Sequence, residues 1–348
     1  MKSYYVELTD IGKSRVNVEE IETDNLADNE AIIKSEYSLI SAGTELSRAF
    51  ALKKGFKYPV RPGYSTVGKI IAKGKNIKAE IGDRVFASCP HSSVARWIDE
   101  DKVQGGHIIK LPNDISSIEA TAINLGLVAL QGVNLSEVKL GYKVAVFGLG
   151  NIGIMTGLMY QKLGMDVACF DIVENRCLLA KQMGLKNVCF KNYQEYIDDF
   201  TKGNGFDICV DVTGLSSVII DCMKYARRYG QVILLGSPRQ SYETDVTPML
   251  SNIHMKNLKV IGAFNQSCPV YAKEGSNNSM MHNFDVVCEL IKNKDIDINK
   301  MISKIIDPKD CEQAYYDLMY NKESTNCIVF DWNNYWLNNL WRSRKQFL

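Results

Sequence analysis

The sequence predicts an α/β protein with two domains, a compact and mostly antiparallel β domain and a doubly wound parallel sheet. Its 348 residues are enough for two domains of ordinary size, each with its own core. Before about residue 120, short β-branched runs are separated by glycine and turn residues, which is typical of antiparallel strands. Beyond that point, apolar strands alternate with segments of helix length, and this alternation indicates βαβ units.

The first domain is predicted from four β-rich runs and from the last part of the chain. The runs are "AIIKSEYSLI", "STVGKIIAKG", "IGDRVFAS" and "VARWIDE". After about residue 266 the pattern predicts a helix around Phe284–Lys292, a strand in "ISKIID", a helix after Pro308 and a strand in "CIVFDW". We expect this tail to return to the first domain, which then comprises residues 1–120 and 266–348.

The second domain, residues 121–265, is predicted to hold the parallel sheet. Helix-length segments separate its strands, so each connection is long enough for a crossover between parallel neighbours. The predicted strands are Val144–Phe147, Val167–Asp171, Val188–Phe190, Asp207–Val212, Val232–Leu235 and Leu258–Ala263.

Composition and charge favour a globular protein that acts on small molecules. Hydrophobic residues make up 46% and charged residues 23% of the chain, and a net charge of +1 gives no broad field to attract nucleic acid or an anionic membrane. The N-terminal segment has no signal-peptide core, and no apolar run approaches the length of a membrane span. The ten cysteines form no C-x-x-C pair. We therefore expect a cytoplasmic protein with reduced thiols, a small-molecule substrate, and neither a nucleic-acid nor a membrane partner.

The segment "AVFGLGNIG" predicts a dinucleotide-binding site. It supplies Gly148, Gly150 and Gly153 in G-x-G-x-x-G spacing between an apolar strand and a helix. The first glycine permits a tight turn, the second lets backbone amides approach the pyrophosphate, and the third lets the helix pack closely on the sheet. Asp171 ends the next strand, where it can accept hydrogen bonds from the adenosine ribose and repel a 2′-phosphate. NAD is therefore favoured over NADP, although Arg176 can bind either a ribose or a phosphate.

Further cofactor contacts are expected at the carboxyl ends of the parallel strands, where ligands of such sheets bind. The segments "DVTG" and "LLGSP" end two strands with small residues and should line the nicotinamide half of the cofactor. The predicted cofactor-binding residues, besides the three glycines and Asp171, are Asn151, Ile152, Ile172, Arg176, Thr213, Gly214, Gly236, Ser237 and Phe264.

Several segments together resemble the medium-chain dehydrogenase/reductase superfamily, which includes the alcohol dehydrogenases. They are the β domain, the turn Gly82–Val85, "AVFGLGNIG", "FDI" and "NLKVIGAFN", and the resemblance extends to about Trp332. It implies a GroES-like β-rich catalytic domain interrupted by a Rossmann domain, with the active site in the cleft between them. It also implies an NAD(P)-dependent enzyme that acts on CH–OH groups and forms a homodimer or homotetramer, which the apolar strand Leu258–Ala263 could join.

The expected zinc ligands of this superfamily are missing. Zinc-dependent members bind a catalytic metal through a Cys-Gly-Thr-Asp segment, a Gly-His-Glu segment and a later cysteine. Here the matching positions carry A-G-T-E (residues 42–45), G-Y-S (residues 63–65) and Leu125, while catalytic zinc needs about three ligands of Cys, His, Asp or Glu type. The four-cysteine structural lobe of many relatives is absent too. The sequence therefore resembles the zinc-independent branch with an S-x-G-T-E segment, and we expect no zinc.

Without zinc, side chains must perform the acid and base work beside the nicotinamide. Thr44 matches the hydroxyl that relays the proton in zinc-dependent relatives, unless it is only a turn hydroxyl. Glu45 can be a base, can orient one, or can hold a neighbouring arginine such as Arg48 or Arg61. Tyr64 can donate to a carbonyl oxygen if a cation lowers its pKa, or it can fill the space that a metal left. His91 can titrate near neutral pH or can be a loop histidine without a role.

These residues predict an NAD-dependent oxidoreductase that interconverts a secondary alcohol and a ketone without zinc, with a modest preference for a polyol or sugar-derived substrate. Three alternatives stay open. Cys89 and His91 lie two residues apart and could form a replacement metal site with Glu45, although Cys89 can equally be a buried thiol. A quinone or enoyl reductase also needs no zinc but resembles NADPH users. A non-catalytic NAD(H)-binding sensor would keep only the Rossmann domain functional.

The tail "DWNNYWLNNLWRSRKQFL" is rich in tryptophan. Its apolar residues have helix-compatible spacing and predict an amphipathic helix that packs on its own domain or on a partner subunit. A substrate lid is the alternative interpretation. The residues concerned are Trp332, Tyr335, Trp336, Leu340 and Trp341.

Overall fold

The structure is a computed structural model and describes residues 1–53, 55–100, 106–275, 278–333 and 335. The chain divides into two compact units. Unit 1 comprises Met1–Asn124 and Met301–Leu348, and unit 2 comprises Leu125–Lys300. The second junction therefore lies at residue 300, whereas the sequence analysis put it at residue 265.

The N-terminal part of unit 1 consists of strands with two short helices. Helix α2 begins with a capping box, in which Ser116 Oγ accepts from Glu119 N and the Glu119 side chain accepts from Ser116 N. In chain order the elements are β1 (Lys2–Asp10), β2 (Lys13–Glu20), β3 (Glu30–Leu39), α1 (Ala42–Ala49), β4 (Thr66–Lys73), β5 (Arg84–Ala87), β6 (Val94–Ile98), β7 (Ile108–Lys110) and α2 (Ser117–Ala120).

Unit 2 alternates strands and helices, and each of the six strands predicted from the sequence is found. Among the described residues, no helix combines the length and the apolar character that crossing a membrane requires. The elements are α3 (Ile123–Leu135), β8 (Lys143–Phe147), α4 (Asn151–Lys162), β9 (Asp166–Asp171), α5 (Glu174–Gln182), β10 (Asn187–Phe190), α6 (Tyr193–Thr201), β11 (Phe206–Asp211), α7 (Ser216–Tyr225), β12 (Ala226–Leu234), α8 (Thr247–Lys256), β13 (Lys259–Gly262), a 3-10 turn (Asn265–Ser267), α9 (Met280–Lys292) and α10 (Ile298–Met301).

The sheet of unit 2 is parallel and has the strand order of a Rossmann fold. In the described part of the chain the order is β10-β9-β8-β11-β12-β13, with every pair parallel. The order reverses between β8 and β11, which is the switch point where such sheets bind ligands. The register places Asp211 beside Phe147 and Leu234, so the carboxyl ends of the central strands meet at one edge. The predicted cofactor loops leave the sheet at that edge.

The chain returns to unit 1 at Met301. The returning elements are β14 (Lys304–Ile306), a 3-10 turn (Pro308–Asp310), α11 (Cys311–Tyr320) and β15 (Ile328–Asp331). Strand β15 pairs antiparallel with β3, with Phe330 opposite Ser38. Helix α11 brings Tyr315 into the core that also contains Leu46 of α1 and Trp332. The end of the chain therefore supports the helix that carries the predicted catalytic segment.

The main sheet of unit 1 confirms the predicted β-rich, mostly antiparallel domain. Within the described residues its order is β14-β15-β3-β4-β5-β7, with β6 paired to β3. Only the β14–β15 pair is parallel among the pairs of this sheet that the structure describes. Strands β1 and β2 form a separate antiparallel hairpin. The two-domain α/β class is thus confirmed.

Residues 266–300 belong to unit 2 because α9 packs against α3. Asn134 Nδ2 of α3 donates to Asn283 Oδ1 of α9 at 3.0 Å. A Cβ on Gly126 would lie 2.6 Å from Val287 Cγ1, so the two helices approach as closely as a glycine allows. No pattern in the sequence predicted the contact between α3 and α9. The predicted domain boundary therefore differs from the observed one.

The described part of the tail packs on unit 1. Trp332 is fully buried, and the Tyr335 ring meets the Trp332 ring edge-on at 5.7 Å and the Tyr4 ring at 5.0 Å. The predictions for Trp336, Leu340 and Trp341 lie outside the described residues.

Candidate active site

Glu45 lies inside unit 1, with 1% of its surface exposed. Helix α1 begins after Ser41, and the Glu45 side chain turns back so that Ser41 N donates to Glu45 Oε1 at 2.7 Å. The other oxygen, Oε2, accepts from the Tyr315 hydroxyl at 2.7 Å and lies 3.0 Å from His91 Nε2. Arg61, considered as a partner of Glu45 from the sequence, instead forms two bonds of 2.6 and 2.7 Å with Glu19. The Glu45 carboxylate therefore links Ser41, His91 and Tyr315 inside unit 1 and does not face solvent.

His91 is also completely buried. Its Nδ1 lies 2.8 Å from Ser38 Oγ, and its ring meets Phe330 edge-on at 5.0 Å. The loop before β4 passes directly over the ring: Gly63 has φ +101°, and a Cβ there would lie 2.7 Å from His91 Cγ. Only glycine adopts that conformation without strain and leaves room for the ring. His91 is thus a tightly packed, doubly hydrogen-bonded side chain and not an exposed loop histidine.

Tyr64 and Thr44 form the accessible part of the site. Thr44 is exposed in the first turn of α1, and Tyr64 is partly exposed. The Tyr64 hydroxyl is hydrogen-bonded to Ser41 Oγ and lies 3.2 Å from Thr44 Oγ1. Because a phenol carries one hydrogen, at least one of these two hydroxyls must donate to Tyr64. The three hydroxyls therefore form one continuous hydrogen-bonded group.

The state of Tyr64 differs from the sequence-based expectation. That expectation required a cation to lower its pKa. Burial instead raises the pKa of Tyr64 above its usual value, and the hydrogen bonds from Ser41 and Thr44 oppose this only partly. Tyr64 is therefore a neutral hydroxyl that donates and accepts hydrogen bonds.

The four predicted catalytic residues thus separate into two layers. Thr44 and Tyr64, which we call the front pair, are exposed and partly exposed respectively, whereas Glu45 and His91 are buried. Behind the front pair, Trp332 Nε1 donates to Ser38 Oγ at 2.9 Å, which extends the buried set. We call this set the rear network. Its members are Ser38, Glu45, His91, Tyr315 and Trp332.

Sequence reasoning missed three residues of this site. Ser41 precedes a helix and belongs to a residue type that favours helix starts, so its position was a usable signal. Ser38 and Tyr315 gave no local signal, because Tyr315 bonds Glu45 across 270 residues of sequence and Ser38 bonds Trp332 across 294.

The positions of the expected zinc ligands do not fit a catalytic zinc. Ala42 has no donor, and Ser65 Oγ is used in a bond to Thr121 O at 2.7 Å. Leu125 is buried and apolar. Across the residues that the structure describes, no group of three or more His, Cys, Asp or Glu side chains could hold a metal ion. Zinc needs about three such ligands.

Cys89 does not complete a replacement site with His91 and Glu45. It is fully buried, and burial raises the pKa of its thiol to about 12. Among the described residues, no group of three or more His, Cys, Asp or Glu side chains that could hold a metal ion includes it. Cys89 is therefore a buried thiol, as the simpler of the two sequence interpretations held.

The glycine turn of unit 2 has the geometry that dinucleotide binding requires. Gly148 has φ +99°, and a Cβ on Gly153 would lie 1.8 Å from Gly148 O, so α4 packs directly on the turn. Gly150 is different: among the described residues nothing lies within 4 Å of its Cβ position. Helix α4 begins there without a side-chain cap. The first N–H groups of a helix without a side-chain cap can donate to an anion, and the open space in front of α4 leaves room for a pyrophosphate.

Asp171 lies next to this turn at the end of β9. Its Oδ2 accepts from Leu149 N at 2.6 Å and its Oδ1 from Val173 N at 2.8 Å. Arg176 Nη1 lies 3.9 Å from Oδ2. Each carboxylate oxygen can accept a second hydrogen bond, so the residues present fit a ribose diol.

The loop after β11 is shaped by a residue that the sequence analysis did not assign. Asp211 is fully buried, and its carboxylate accepts from Thr213 N, Thr213 Oγ1 and Gly214 N at 2.9, 2.6 and 3.1 Å. Burial raises its pKa, and these bonds oppose the shift. A Cβ on Gly214 would lie 2.0 Å from Ser237 O, so this loop touches the loop after β12, which also contains Gly236. The two predicted loops are thus brought together.

The other predicted cofactor residues lie around the same edge of the sheet. Asn151 and Ile152 form the first turn of α4. Ile172 and Phe264, which follow β9 and β13, are 72% and 56% exposed, so they present apolar surface to solvent.

Comparison with known proteins gives the family context. Residues 151–277 match the family model described as "Zinc-binding dehydrogenase". Sorbitol dehydrogenase 1 of Saccharomyces cerevisiae is 23% identical over 311 residues, which is 79% of this chain and 82% of that protein. The match begins just after Gly150 and lies within unit 2, so it does not reach Ala42, Tyr64 or Leu125 and does not bear on the zinc ligands.

Solved structures agree on the fold over nearly the whole chain. A short chain alcohol dehydrogenase from Escherichia coli CFT073, complexed with cofactor NADH, has a TM-score of 0.77 at 16% identity and covers 95% of this chain and 99% of that one. A putative zinc-binding dehydrogenase from Sinorhizobium meliloti 1021, bound to NADP, has a TM-score of 0.76 at 16% identity with the same coverage. At 16% identity these likenesses support the two-domain α/β fold, and they agree with the resemblance of the sequence to the medium-chain alcohol dehydrogenase-like superfamily.

Proposed function

We propose that this protein is an NAD-dependent oxidoreductase that interconverts a secondary alcohol and a ketone without a catalytic metal. The observation that carries the proposal is the front pair. Tyr64, at a position where the superfamily places a metal ligand, offers a neutral hydroxyl bonded to Ser41 and close to Thr44. Hydroxyls can bind the substrate oxygen and transfer its proton. In zinc-dependent enzymes the metal binds that oxygen and makes the proton transfer easier.

The chemistry divides between the two units. Oxidation of a secondary alcohol removes one hydride from carbon and one proton from oxygen. The dinucleotide, when bound to unit 2, supplies the hydride acceptor. In unit 1 the front pair hydrogen-bonds the substrate hydroxyl and relays its proton in one step: the Tyr64 oxygen takes the substrate proton, the Tyr64 hydrogen passes to Thr44, and the Thr44 hydrogen passes to water or hydroxide in solvent. In the reverse direction Tyr64, which burial keeps protonated, passes its hydrogen to the ketone oxygen and regains one from solvent through Thr44.

Glu45 and His91 have a supporting role in this mechanism. Both are buried, at 1% and 0% exposed, so neither reaches a substrate oxygen directly. Glu45 instead binds Ser41 N, and Ser41 Oγ contacts Tyr64. This proposal revises the interpretation from the sequence, in which all four residues were equivalent candidates for contact with the reacting oxygen.

We propose NAD as the preferred cofactor. The Asp171 carboxylate lies beside the glycine turn, where it can accept from ribose hydroxyls and repel a 2′-phosphate. Arg176 argues the other way, as does Arg239, whose pKa is lowered by burial and in part by the nearby Arg176 charge. Because the Asp171 oxygens are fixed by two backbone amides, we expect NADH to bind about 10-fold more tightly than NADPH. Fluorescence titration of both tests this, and a clear preference for NADPH would favour the quinone or enoyl reductase alternative.

The substrate class is proposed from the relatives. Sorbitol dehydrogenase 1 acts, by its name, on a polyol. We infer a polyol or sugar-derived secondary alcohol for this chain, and a substrate panel of polyols, simple secondary alcohols and the matching ketones tests it. Tight NADH binding without turnover of any panel member would favour the sensor alternative.

A homodimer through β13 is the assembly that we propose. In the described part of unit 2, β13 is an edge strand of the parallel sheet, with Val260 38% exposed, and an apolar edge of this kind favours pairing with a second copy. Val260→Lys should yield monomers in size-exclusion chromatography with light scattering. Leu140→Lys is the control, because Leu140 is 91% exposed elsewhere in unit 2. A wild-type monomer would contradict the proposal.

Tyr64→Phe tests the proposed reaction most simply. Loss of the hydroxyl should lower kcat by about 100-fold or more, because a positioned proton-transfer group contributes on that scale. Tyr320→Phe is the matched control, since Tyr320 is exposed in the same unit. Unchanged turnover in Tyr64→Phe would remove the front pair from the mechanism.

A further inference from the structure

One arrangement of hydrogens gives every donor and acceptor in the rear network a partner among the described residues. The Trp332 indole N–H can only donate, so Ser38 Oγ accepts from it at 2.9 Å. The remaining described partner of Ser38 Oγ is His91 Nδ1 at 2.8 Å, and Ser38 must donate its hydrogen there. A neutral His91 then carries its hydrogen on Nε2 and donates to Glu45 Oε2 at 3.0 Å.

The other protonation states of His91 fit less well. With the hydrogen on Nδ1, the Nε2 lone pair would face a carboxylate oxygen at 3.0 Å, so two acceptors would oppose each other in a buried site. With hydrogens on both nitrogens, the Ser38 hydroxyl hydrogen would have no acceptor among the described residues. The geometry therefore selects the Nε2–H tautomer.

The network also controls where the Glu45 carboxylate points. Oε2 accepts from Tyr315 and from His91, which leaves Oε1 directed at Ser41 N. Ser41 is the residue before α1, and its hydroxyl contacts Tyr64. Rotation of the carboxylate would move Ser41 and with it the front pair.

We propose that Tyr315 and Trp332 are positioning residues of this site. They bond the two ends of the rear network and thereby fix both the Nε2–H tautomer of His91 and the direction of the Glu45 carboxylate. The effect on turnover rests on the function proposed above, whereas the tautomer and its dependence on Tyr315 and Trp332 do not. Both residues come from the part of the chain that returns to unit 1 after residue 300.

Nitrogen NMR of the full chain labelled with 15N-histidine tests the tautomer directly. The chain has 4 histidines, and His91→Gln assigns the His91 signals. In the wild type we expect an unprotonated Nδ1 and a protonated Nε2 at neutral pH. A hydrogen on Nδ1, or on both nitrogens, would overturn the proposal whether or not the enzyme turns over alcohols.

Variants test the two positioning residues. Tyr315→Phe should shift the His91 nitrogen signals and lower kcat about 10-fold, because the front pair is displaced, with KM changed by less than about twofold. Trp332→Phe should shift the His91 Nδ1 signal, because Ser38 Oγ loses the donor that orients its hydroxyl towards Nδ1. The matched controls are Tyr316→Phe, which alters a half-exposed neighbour, and Trp97→Phe, whose indole N–H is buried without a hydrogen-bond partner among the described residues.

The outcomes separate this proposal from the proposed function. The expected NMR signals in a protein that turns over no alcohol would leave the network intact and reject the function. Tyr315→Phe with wild-type NMR signals, or with altered signals but unchanged kcat, would reject the positioning role. If Tyr315→Phe does not fold, Ser38→Ala interrupts the network at its other link and must give the same NMR and kcat changes.

Discussion

The nucleotide turn of unit 2 and the rear network of unit 1 are built in opposite ways. The turn runs from β8 through α4 to Asp171, within about thirty consecutive residues, and depends on the positive φ of Gly148 and on the missing Cβ atoms of Gly150 and Gly153. The rear network joins side chains from five separated segments, with bonds that span up to 294 residues of sequence. A local backbone site is encoded by residue type and spacing, whereas a side-chain network is encoded by the fold as a whole.

Gly153→Ala should have the largest effect on stability and dinucleotide binding. It tests how strictly the glycine turn depends on close packing of its backbone. Its new Cβ would lie 1.8 Å from Gly148 O, and backbone cannot move aside cheaply. We expect the free energy of unfolding to fall by about 1–3 kcal/mol and dinucleotide affinity to fall roughly 100-fold. Urea unfolding and NADH titration measure these two quantities.

Gly150→Ala is the matched control for that variant. Its Cβ meets nothing within 4 Å among the described residues, so the free energy of unfolding should not change. The added methyl group would occupy space proposed for the pyrophosphate, and we expect affinity alone to fall. If Gly150→Ala binds NADH normally, the pyrophosphate does not lie there.

Glu45→Gln tests the rear network by its effect on the free energy of unfolding. The amide would place an N–H₂ group where the carboxylate now accepts from Ser41, His91 and Tyr315. One buried donor would then face another, at a cost of about 1–3 kcal/mol in the free energy of unfolding. Glu19→Gln, on the exposed Arg61 pair, is the control and should change it by less than about 1 kcal/mol. Equal stability of the two variants would contradict the account of the rear network.

The same contrast explains what the sequence could predict. The glycines, Asp171, the six parallel strands and the returning tail were all predictable, because periodicity and spacing carry that information. Thr44, Glu45, Tyr64 and His91 were found as candidates through the family resemblance. Their separation into a front pair and buried partners was not predictable, because it depends on Tyr315 and Trp332, which reach the site only after α11 and β15 pack on unit 1.

The pH dependence of kcat/KM tests the protonation state of Tyr64, and the expected change in its shape is the smallest effect. Burial raises the pKa of Tyr64 above its usual value near 10, so the phenol stays protonated up to at least about pH 9. Tyr64→Phe should therefore lower kcat/KM by the same factor from about pH 6 to 9 and leave the shape of the profile unchanged. If the variant loses an ionisation that the wild type shows within this range, Tyr64 titrates and the assignment of a neutral hydroxyl is wrong.

The central claim is that hydroxyls of unit 1 replace a metal in alcohol oxidation. Its most direct test is turnover of a secondary alcohol with NAD by protein dialysed against a strong chelator, with metal content measured in the same sample. The account predicts full turnover at less than about 0.1 metal ion per chain, because catalytic zinc would require roughly one. Loss of activity on chelation that added zinc restores would contradict it.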